Sequence, residues 1–127
     1  MSKSPGHQKW PDHQVKERHL SERVKAEIAG EVMAESNDVI LVEEDGNPAR
    51  YYFPRADVRM DRLRRTASTS SCPFKGTAHY YSVDAAGKKL EDAVWTYEDP
   101  FEEHQELKER IAFWAEKAPE IAIGPVA

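Results

Sequence analysis

Residues 77–97, TAHYYSVDAAGKKLEDAVWTY, decide the fold of this chain. Their first part, 77–83, is rich in aromatic and β-branched residues, which favour a β-strand. The segment 84–87, DAAG, has the composition of a tight turn. Residues 89–97 then return as a second strand, with Ala93, Trp95 and Tyr97 predicted on one face. The stretch therefore predicts an antiparallel hairpin with aromatic faces.

Two further hairpins are predicted upstream. Residues 23–29 alternate apolar and charged side chains, which is typical of a half-buried strand, and 31–35 form its predicted partner with Val32 and Ala34 on one face. Gly30 accepts the positive φ that a tight turn between them needs. Residues 39–42, VILV, indicate a strand buried on both faces, and the turn residues 45–48 connect it to an aromatic strand over 51–53.

The rest of the chain shows weaker patterns. Residues 54–76 have little periodicity and are expected to form a long loop. Asp99, Pro100 and Glu102 have the spacing of a helix start, which predicts one short helix near the C-terminus. Periodicity leaves 111–114 open as a helix extension or a last strand. The sum is a mainly β fold, a small antiparallel β-sheet domain with one short helix near the C-terminus.

The length of 127 residues predicts a single domain. Residues 1–14 are polar and contain two prolines and a glycine, so we expect a flexible N-terminal arm. The β-rich domain is predicted over 15–118, and a short C-terminal tail over 119–127. No apolar run reaches the roughly 18 residues that a membrane span needs, so no membrane association is expected.

Charge and cysteine content narrow the function classes. The formal net charge of −5 argues against a nucleic-acid partner, because nucleic-acid binding depends on neutralising phosphates. The single cysteine, Cys72, excludes an intrachain disulfide and a cysteine-rich metal centre. A reducing, cytoplasmic location is the expectation that fits this cysteine usage. The five histidines follow no standard metal-ligand spacing, so no metal or cofactor is predicted, and the oligomeric state, monomer or dimer, stays open.

Four strings in the chain carry a resemblance to a known family. They are YYFPRADVRM from residue 51, SCPFKGTAHYYSV from 71, AVWTYEDP from 93 and IAFW from 111. In this order they resemble the bacterial "domain of unknown function 427" family, with its Tyr-Tyr-aliphatic-Pro-Arg-x-Asp-Val, Cys-Pro-Tyr-Lys-Gly and Trp-Ser-Tyr-x-x-Pro motifs. Phe74 and Thr96 stand where that family commonly has Tyr and Ser. The match runs from about Val24 to Trp114.

The resemblance implies a beta-tent-like arrangement of packed antiparallel sheets, with 111–114 as a strand. The family also has a nucleotidyltransferase-like label. The sequence has no Gly-Ser pair followed by the paired aspartates that would hold two metals, and no phosphate-cradling glycine-rich loop. The label therefore supplies no reaction.

The motifs contain the candidate binding residues. Arg55 can hold a carboxylate or phosphate in a bidentate manner, and the Lys75–Gly76 pair offers a charge and backbone N–H groups to an anion. Tyr80, Trp95 and Tyr97 are candidates for aromatic pocket walls, although core packing is the more common role of such rings. The first hypothesis is a small anionic ligand in a basic-aromatic pocket.

Cys72 and Asp57 are the candidate catalytic residues. Lys75 and Arg55 near Cys72 would favour its thiolate, and His79, one short strand away, is a candidate base. Asp57 would orient Arg55 or act as a base. In the alternative interpretations Cys72 is a buried apolar residue, and Arg55 with Asp57 is an internal ion pair.

Three function hypotheses follow, and whether the protein is an enzyme stays open. The first is the small-ligand domain described above. The second is a non-catalytic protein-interaction module, for which a large exposed apolar patch or symmetric interface would be the signature. The third is a thiol-dependent enzyme that uses Cys72.

Overall fold

The computed structural model describes residues 3–126 and is built mainly from β-strands. The elements, in chain order, are helix α1 (Pro5–Lys9) and strands β1 (Val15–His19), β2 (Val24–Ile28), β3 (Glu31–Ser36), β4 (Ile40–Glu44), β5 (Arg50–Tyr52), β6 (Leu63–Cys72), β7 (Gly76–Ala85), β8 (Lys88–Tyr97), β9 (Ile111–Phe113) and β10 (Ile121–Pro125). Short 3-10 helices occupy Arg55–Asp57, Met60–Arg62, Glu102–Leu107 and Ala115–Lys117. The predicted mainly β, antiparallel fold class is confirmed.

The strands form three antiparallel sheets. Sheet A has the order β1-β4-β5, sheet B has β10-β2-β3, and sheet C has β6-β7-β8-β9. The predicted hairpin of residues 77–97 is β7 and β8 of sheet C, with Tyr80 opposite Trp95. Its turn uses Ala86 and Gly87, both with positive φ, as in the mirror-image turns that suit twisted hairpins.

Sheet C takes part in two apolar cores. The larger core joins sheet B to sheet C through residues such as Ile28, Met33 and Phe113, together with Phe53 from the segment after β5. The smaller core joins sheet A to sheet C through Ile40, Val42, Tyr52, Ala78, Trp95, Tyr97, Leu107 and Ala112. Residues 39–42 are buried on both faces, as their unbroken aliphatic run predicts. The smaller core borders a cavity between sheets A and C, described below.

The predicted helix near the C-terminus is wrong. The α-helix is α1, near the N-terminus, and the segment after Pro100 forms the 3-10 helix Glu102–Leu107 instead. His104 has the non-helical angles φ −128° and ψ 28°, because its side chain turns into the protein to contact Glu17. Residues 111–113 are strand β9, as the family resemblance implies.

Two strand details also differ from the prediction. Met33 is fully buried while Val32 is 38% exposed, because the β2–β3 register shifts between Ala26 and Glu27 and moves the apolar face by one residue. The expected loop over 54–76 contains strand β6, ten residues at the edge of sheet C. Seven of its ten residues are exposed, four of them serine or threonine, so it has no apolar alternation to reveal it.

The two ends of the chain are also structured, in contrast to the expected arm and tail. Within the expected arm, α1 is capped by Ser4, whose hydroxyl accepts a hydrogen bond from His7 N–H, and Ser4 itself is fully buried. Within the expected tail, β10 pairs with β2 at the edge of sheet B. Residues 1 and 2 of the expected arm and residue 127 of the expected tail lie outside the described residues. Over residues 3–126, no helix is long and apolar enough to cross a membrane.

Candidate functional site

A cavity of about 200 Å3 lies between sheets A and C, beside the smaller core. Its walls combine aromatic rings with a few charged and polar side chains. The lining residues are Val42, Glu44, Asn47, Pro48, Arg50, Tyr52, Lys75, Tyr80, Trp95, Tyr97 and Trp114. The structure thus brings four of the candidate binding residues, Lys75, Tyr80, Trp95 and Tyr97, to one pocket.

The strand alternation of the sequence explains this lining. Residues two apart on a strand point to the same side, so β4 offers Val42 with Glu44, and β8 offers Trp95 with Tyr97. On β5, Arg50 shares the face of Tyr52, because Arg50 lies directly opposite Val42 in the antiparallel pairing. With Tyr80 from β7, the pocket is therefore lined by four strands from two sheets.

Lys75 and Glu44 form a largely buried ion pair at one end of the pocket. Their side chains are 9% and 12% exposed, and the Glu44 carboxylate also lies 3.0 Å from His13 Nε2. Burial alone would raise the pKa of Glu44, but the hydrogen bond and charge of Lys75, with those of His13, hold that pKa below its ordinary value. Glu44 is therefore a carboxylate at neutral pH, and its negative charge offsets the positive charge of Lys75.

Arg50 is the second cation of the pocket, and its ion pair is more exposed to solvent than that of Lys75. Its guanidinium lies 5.4 Å from the Trp95 ring centroid, and its Nη1 contacts Glu116 at 2.5 Å. The Glu116 side chain is 51% exposed, so water can replace this partner at little cost. The Arg50 guanidinium can consequently be recruited by an anion in the pocket.

Two tyrosines add neutral polar groups. Burial raises the pKa of Tyr52 and of Tyr97 well above the ordinary range of a phenol, so both hydroxyls keep their protons. The Tyr52 hydroxyl accepts a hydrogen bond from Trp95 Nε1 at 3.1 Å. Its own proton can then be donated to another acceptor.

Arg55 lies on the other face of sheet C, away from this pocket. Its guanidinium donates to the Tyr81 hydroxyl at 3.2 Å, to Thr96 Oγ1 at 3.3 Å and to the Glu109 carbonyl at 3.1 Å. Thr96 is fully buried and donates in turn to the Arg110 carbonyl at 2.7 Å. Arg55 thus joins the segment after β5 to β7, β8 and the segment before β9, and three of its five N–H donors are used within the protein.

The comparison with family models matches residues 16–123 to the model described as "Domain of unknown function (DUF427)". The chain belongs to this DUF427 family. A comparison with curated proteins found no match. The resemblance seen in the motifs is therefore confirmed.

In this DUF427 domain the two candidate catalytic residues lie apart. Asp57 is exposed at the end of the 3-10 helix Arg55–Asp57, outside the pocket between sheets A and C. Cys72 is half-buried, packs against the smaller core, and its Sγ accepts a hydrogen bond from Lys75 N–H at 3.4 Å. His79 contacts Arg65 at 2.9 Å, so within residues 3–126 the structure does not pair it with Cys72.

Gly76 acts on the pocket indirectly. It has a φ of 122°, and a Cβ at this position would lie 3.5 Å from the Asp99 carbonyl oxygen and from Pro100 Cα. The neighbouring Lys75 carbonyl accepts a hydrogen bond from Phe101 N–H at 2.9 Å. This backbone contact fixes the segment from which the Lys75 side chain enters the pocket.

The motifs do not contain Glu44 and Arg50, two charged lining residues of the DUF427 pocket, and Trp114 lies in the IAFW string but is not among the candidate binding residues. Alternation on the predicted strands could have found the first two, since Glu44 follows Val42 and Arg50 precedes Tyr52 by two positions. Over residues 3–126, no group of three histidine, cysteine or acidic side chains is arranged to hold a metal ion.

Proposed function

We propose that this DUF427 domain binds a small molecule with a planar or apolar body and one anionic group. The observation that carries the proposal is the convergence of Tyr52, Tyr80, Trp95, Tyr97 and Trp114 with two cations around one cavity. Aromatic walls suit a flat or apolar body, and a few convergent polar groups fix its orientation.

The charges favour an anion over a cation. Arg50 and Lys75 face one carboxylate, Glu44, so the lining carries one net positive charge at neutral pH. Because Lys75 is already paired with Glu44, Arg50 is the residue expected to bind the anionic group. A guanidinium offers two parallel N–H donors, which match a carboxylate or phosphate.

The size of the cavity limits the ligand. A volume of about 200 Å3 corresponds to about seven water molecules, at roughly 30 Å3 per water. This is smaller than the roughly 300–1,000 Å3 of pockets for drug-sized ligands. We therefore expect a ligand with one ring or a short chain.

The proposal can be tested by thermal unfolding with benzoate and with benzamide, its uncharged match. The same comparison is extended to a screen of further anions, each with an uncharged match. Some of the anions should raise Tm by several degrees, and their neutral matches should raise it less. A ligand at 100 times its Kd adds about 2.7 kcal/mol to the free energy of unfolding.

Two arginine variants make this test specific. Arg50→Gln removes the expected anion-binding group, and the Tm difference between anion and neutral match should disappear. Arg64→Gln is the matched control, because Arg64 is 66% exposed on β6 and contacts only Asp84 among the ion pairs of residues 3–126. Equal ligand responses in the Arg50→Gln variant and in the unmodified protein would contradict the proposal.

A further inference from the structure

The N-terminal strap, defined here as residues 4–14, lies across the segment that links β6 to β7. Ser4 Oγ and Gly6 N–H both donate to the Pro73 carbonyl, each at 2.7 Å. The Phe74 ring lies between two histidines of the strap, with His13 stacked on it at 4.1 Å between ring centroids and His7 edge-on at 5.0 Å. Phe74 is only 7% exposed as a result.

The start of the strap is fastened by a pair of histidines. His7 Nε2 lies 2.8 Å from His104 Nε2, and His104 is 3% exposed. The other ring nitrogen of His104, Nδ1, contacts the Glu17 carboxylate on β1. Because a carboxylate only accepts hydrogen bonds, His104 Nδ1 carries a proton.

At a distance of 2.8 Å, one proton and not two fits between His7 Nε2 and His104 Nε2. With one proton, either ring donates to the other and the contact is a hydrogen bond. With two protons, two N–H groups and two positive charges oppose each other at hydrogen-bond distance. The contact between His7 and His104 therefore exists only while one of the two rings is neutral.

We propose that helix α1 is an acid-released latch, which lifts from Phe74 when His7 and His104 are both protonated. The hydrogen bonds from Ser4 and Gly6 to the Pro73 carbonyl then lose the support of the contact between His7 and His104. Release would expose the Phe74 ring on the side that α1 covers. The proposal is independent of ligand binding in the pocket between sheets A and C.

The neighbouring charges set the direction of the pH response. The titratable and charged groups that face the histidine pair are Glu17 from β1, Glu44 from β4, Glu103 from the 3-10 helix Glu102–Leu107, and His13 from the strap. Burial, followed by the charge of His104, lowers the pKa of His7 despite the carboxylates of Glu103 and Glu44.

A folded-state pKa below the unfolded value gives a definite sign. The closed latch is stabilised above the ordinary histidine pKa of about 6.5 and loses that stability as the pH falls below it. The far end of the strap is held by a carboxylate and not by a second histidine, since His13 Nε2 lies 3.0 Å from Glu44 Oε2. Opening is therefore confined to the part of the strap before His13.

Hydrogen–deuterium exchange of the full chain at pH 7.5 and pH 5.5 tests the latch. After correction for the intrinsic pH dependence of exchange, we expect protection over residues 4–9 to fall by up to about tenfold at pH 5.5, one pH unit below the reference pKa. Protection of β7 and β8 should stay unchanged, because they do not contain the histidine pair.

Two histidine variants decide between the latch and a general acid effect. In His7→Gln the side chain at position 7 no longer titrates, so the protection ratio between the two pH values should be close to one. His19→Gln is the matched control, because His19 is a largely exposed histidine that contacts Glu106, and it should keep the pH response of the unmodified protein. Equal protection at both pH values in the unmodified protein, or an unchanged pH response in His7→Gln, would overturn the proposal.

Discussion

The two faces of β8 place the residues of one motif in opposite surroundings. Trp95 and Tyr97 face sheet A and line a cavity that solvent can reach. Thr96, between them, faces the other way. It is fully buried, and its hydroxyl accepts a hydrogen bond from Arg55 and donates one to the Arg110 carbonyl. One motif of this family therefore contains two residues that line the pocket and one that forms buried hydrogen bonds on the other face of the sheet. A residue's place in a motif does not by itself show that it belongs to a site.

The largest test of this contrast uses two adjacent residues. Phe113 is 2% exposed in the larger core, edge-on to Phe53 at 5.9 Å, whereas Trp114 is half-buried and lines the pocket. We expect Phe113→Ala to reduce the free energy of unfolding by about 3–5 kcal/mol, and Trp114→Ala by about 1 kcal/mol, because the pocket side is already open. Urea denaturation measures both, and equal losses would show that the two faces are packed alike.

The second test concerns the buried ion pair of the pocket. Lys75→Met leaves Glu44 without its main partner, and removing one member of a buried pair typically costs about 3–5 kcal/mol. We expect a loss near the lower end, about 3 kcal/mol at pH 7, because His13 still contacts Glu44. Urea denaturation at pH 7 measures the loss, with Lys16→Met on exposed β1 as the control that should change little.

The pH dependence of the same variant has a predictable sign. Lys75 keeps the pKa of Glu44 below its ordinary value in the folded protein, so its stabilising effect is present at neutral pH and is lost as the pH falls below about 4.5. The difference between the unmodified protein and Lys75→Met should therefore be similar at pH 7 and pH 5 and should shrink as the pH falls from about 4.5 to 3. A difference that stays constant over this range would show that Lys75 acts by packing instead of charge.

The smallest effect is expected on the opposite face. Arg55→Gln removes hydrogen bonds to Tyr81, Thr96 and the Glu109 carbonyl, and we expect a loss of about 1–2 kcal/mol, since the Arg55 side chain is partly exposed. The response to anions in thermal unfolding should stay intact. Arg59→Gln, which removes only a contact with the exposed Asp61, is the control. A lost anion response in Arg55→Gln with little loss of stability would move the site to this face.

The fold could be predicted where burial leaves a pattern in the sequence. Residues 23–29 alternate because one face of β2 is buried, and residues 39–42 are apolar throughout because β4 is buried on both faces. Strand β6 escapes prediction because most of its residues are exposed at a sheet edge, so its sequence has no such pattern. The predicted C-terminal helix failed because capping residues describe only local preference, while His104 is drawn into a long-range contact with Glu17.

The candidate site was predictable in part for a related reason. Lys75, Tyr80, Trp95 and Tyr97 lie on neighbouring segments of one sheet, so their positions in the motifs suffice to group them. Arg50 and Glu44 come from sheet A, and only the packing of that sheet against sheet C brings them to the pocket. The anion-site hypothesis groups Arg55 with Lys75 from two different motifs, whereas the 3-10 helix after Pro54 carries Arg55 to the opposite face.

The close approach of Gly6 to Pro73 constrains how related chains can vary. A Cβ at position 6 would lie 2.6 Å from the Pro73 carbonyl oxygen and 2.8 Å from the Phe74 ring, closer than atoms in proteins tolerate. The family match begins at residue 16, beyond the strap, so membership of the family does not imply this contact. A relative with any other residue at this position cannot seat its first residues as seen here. One glycine therefore offers a simple criterion for dividing related sequences into those that can carry an N-terminal closure of this kind and those that cannot.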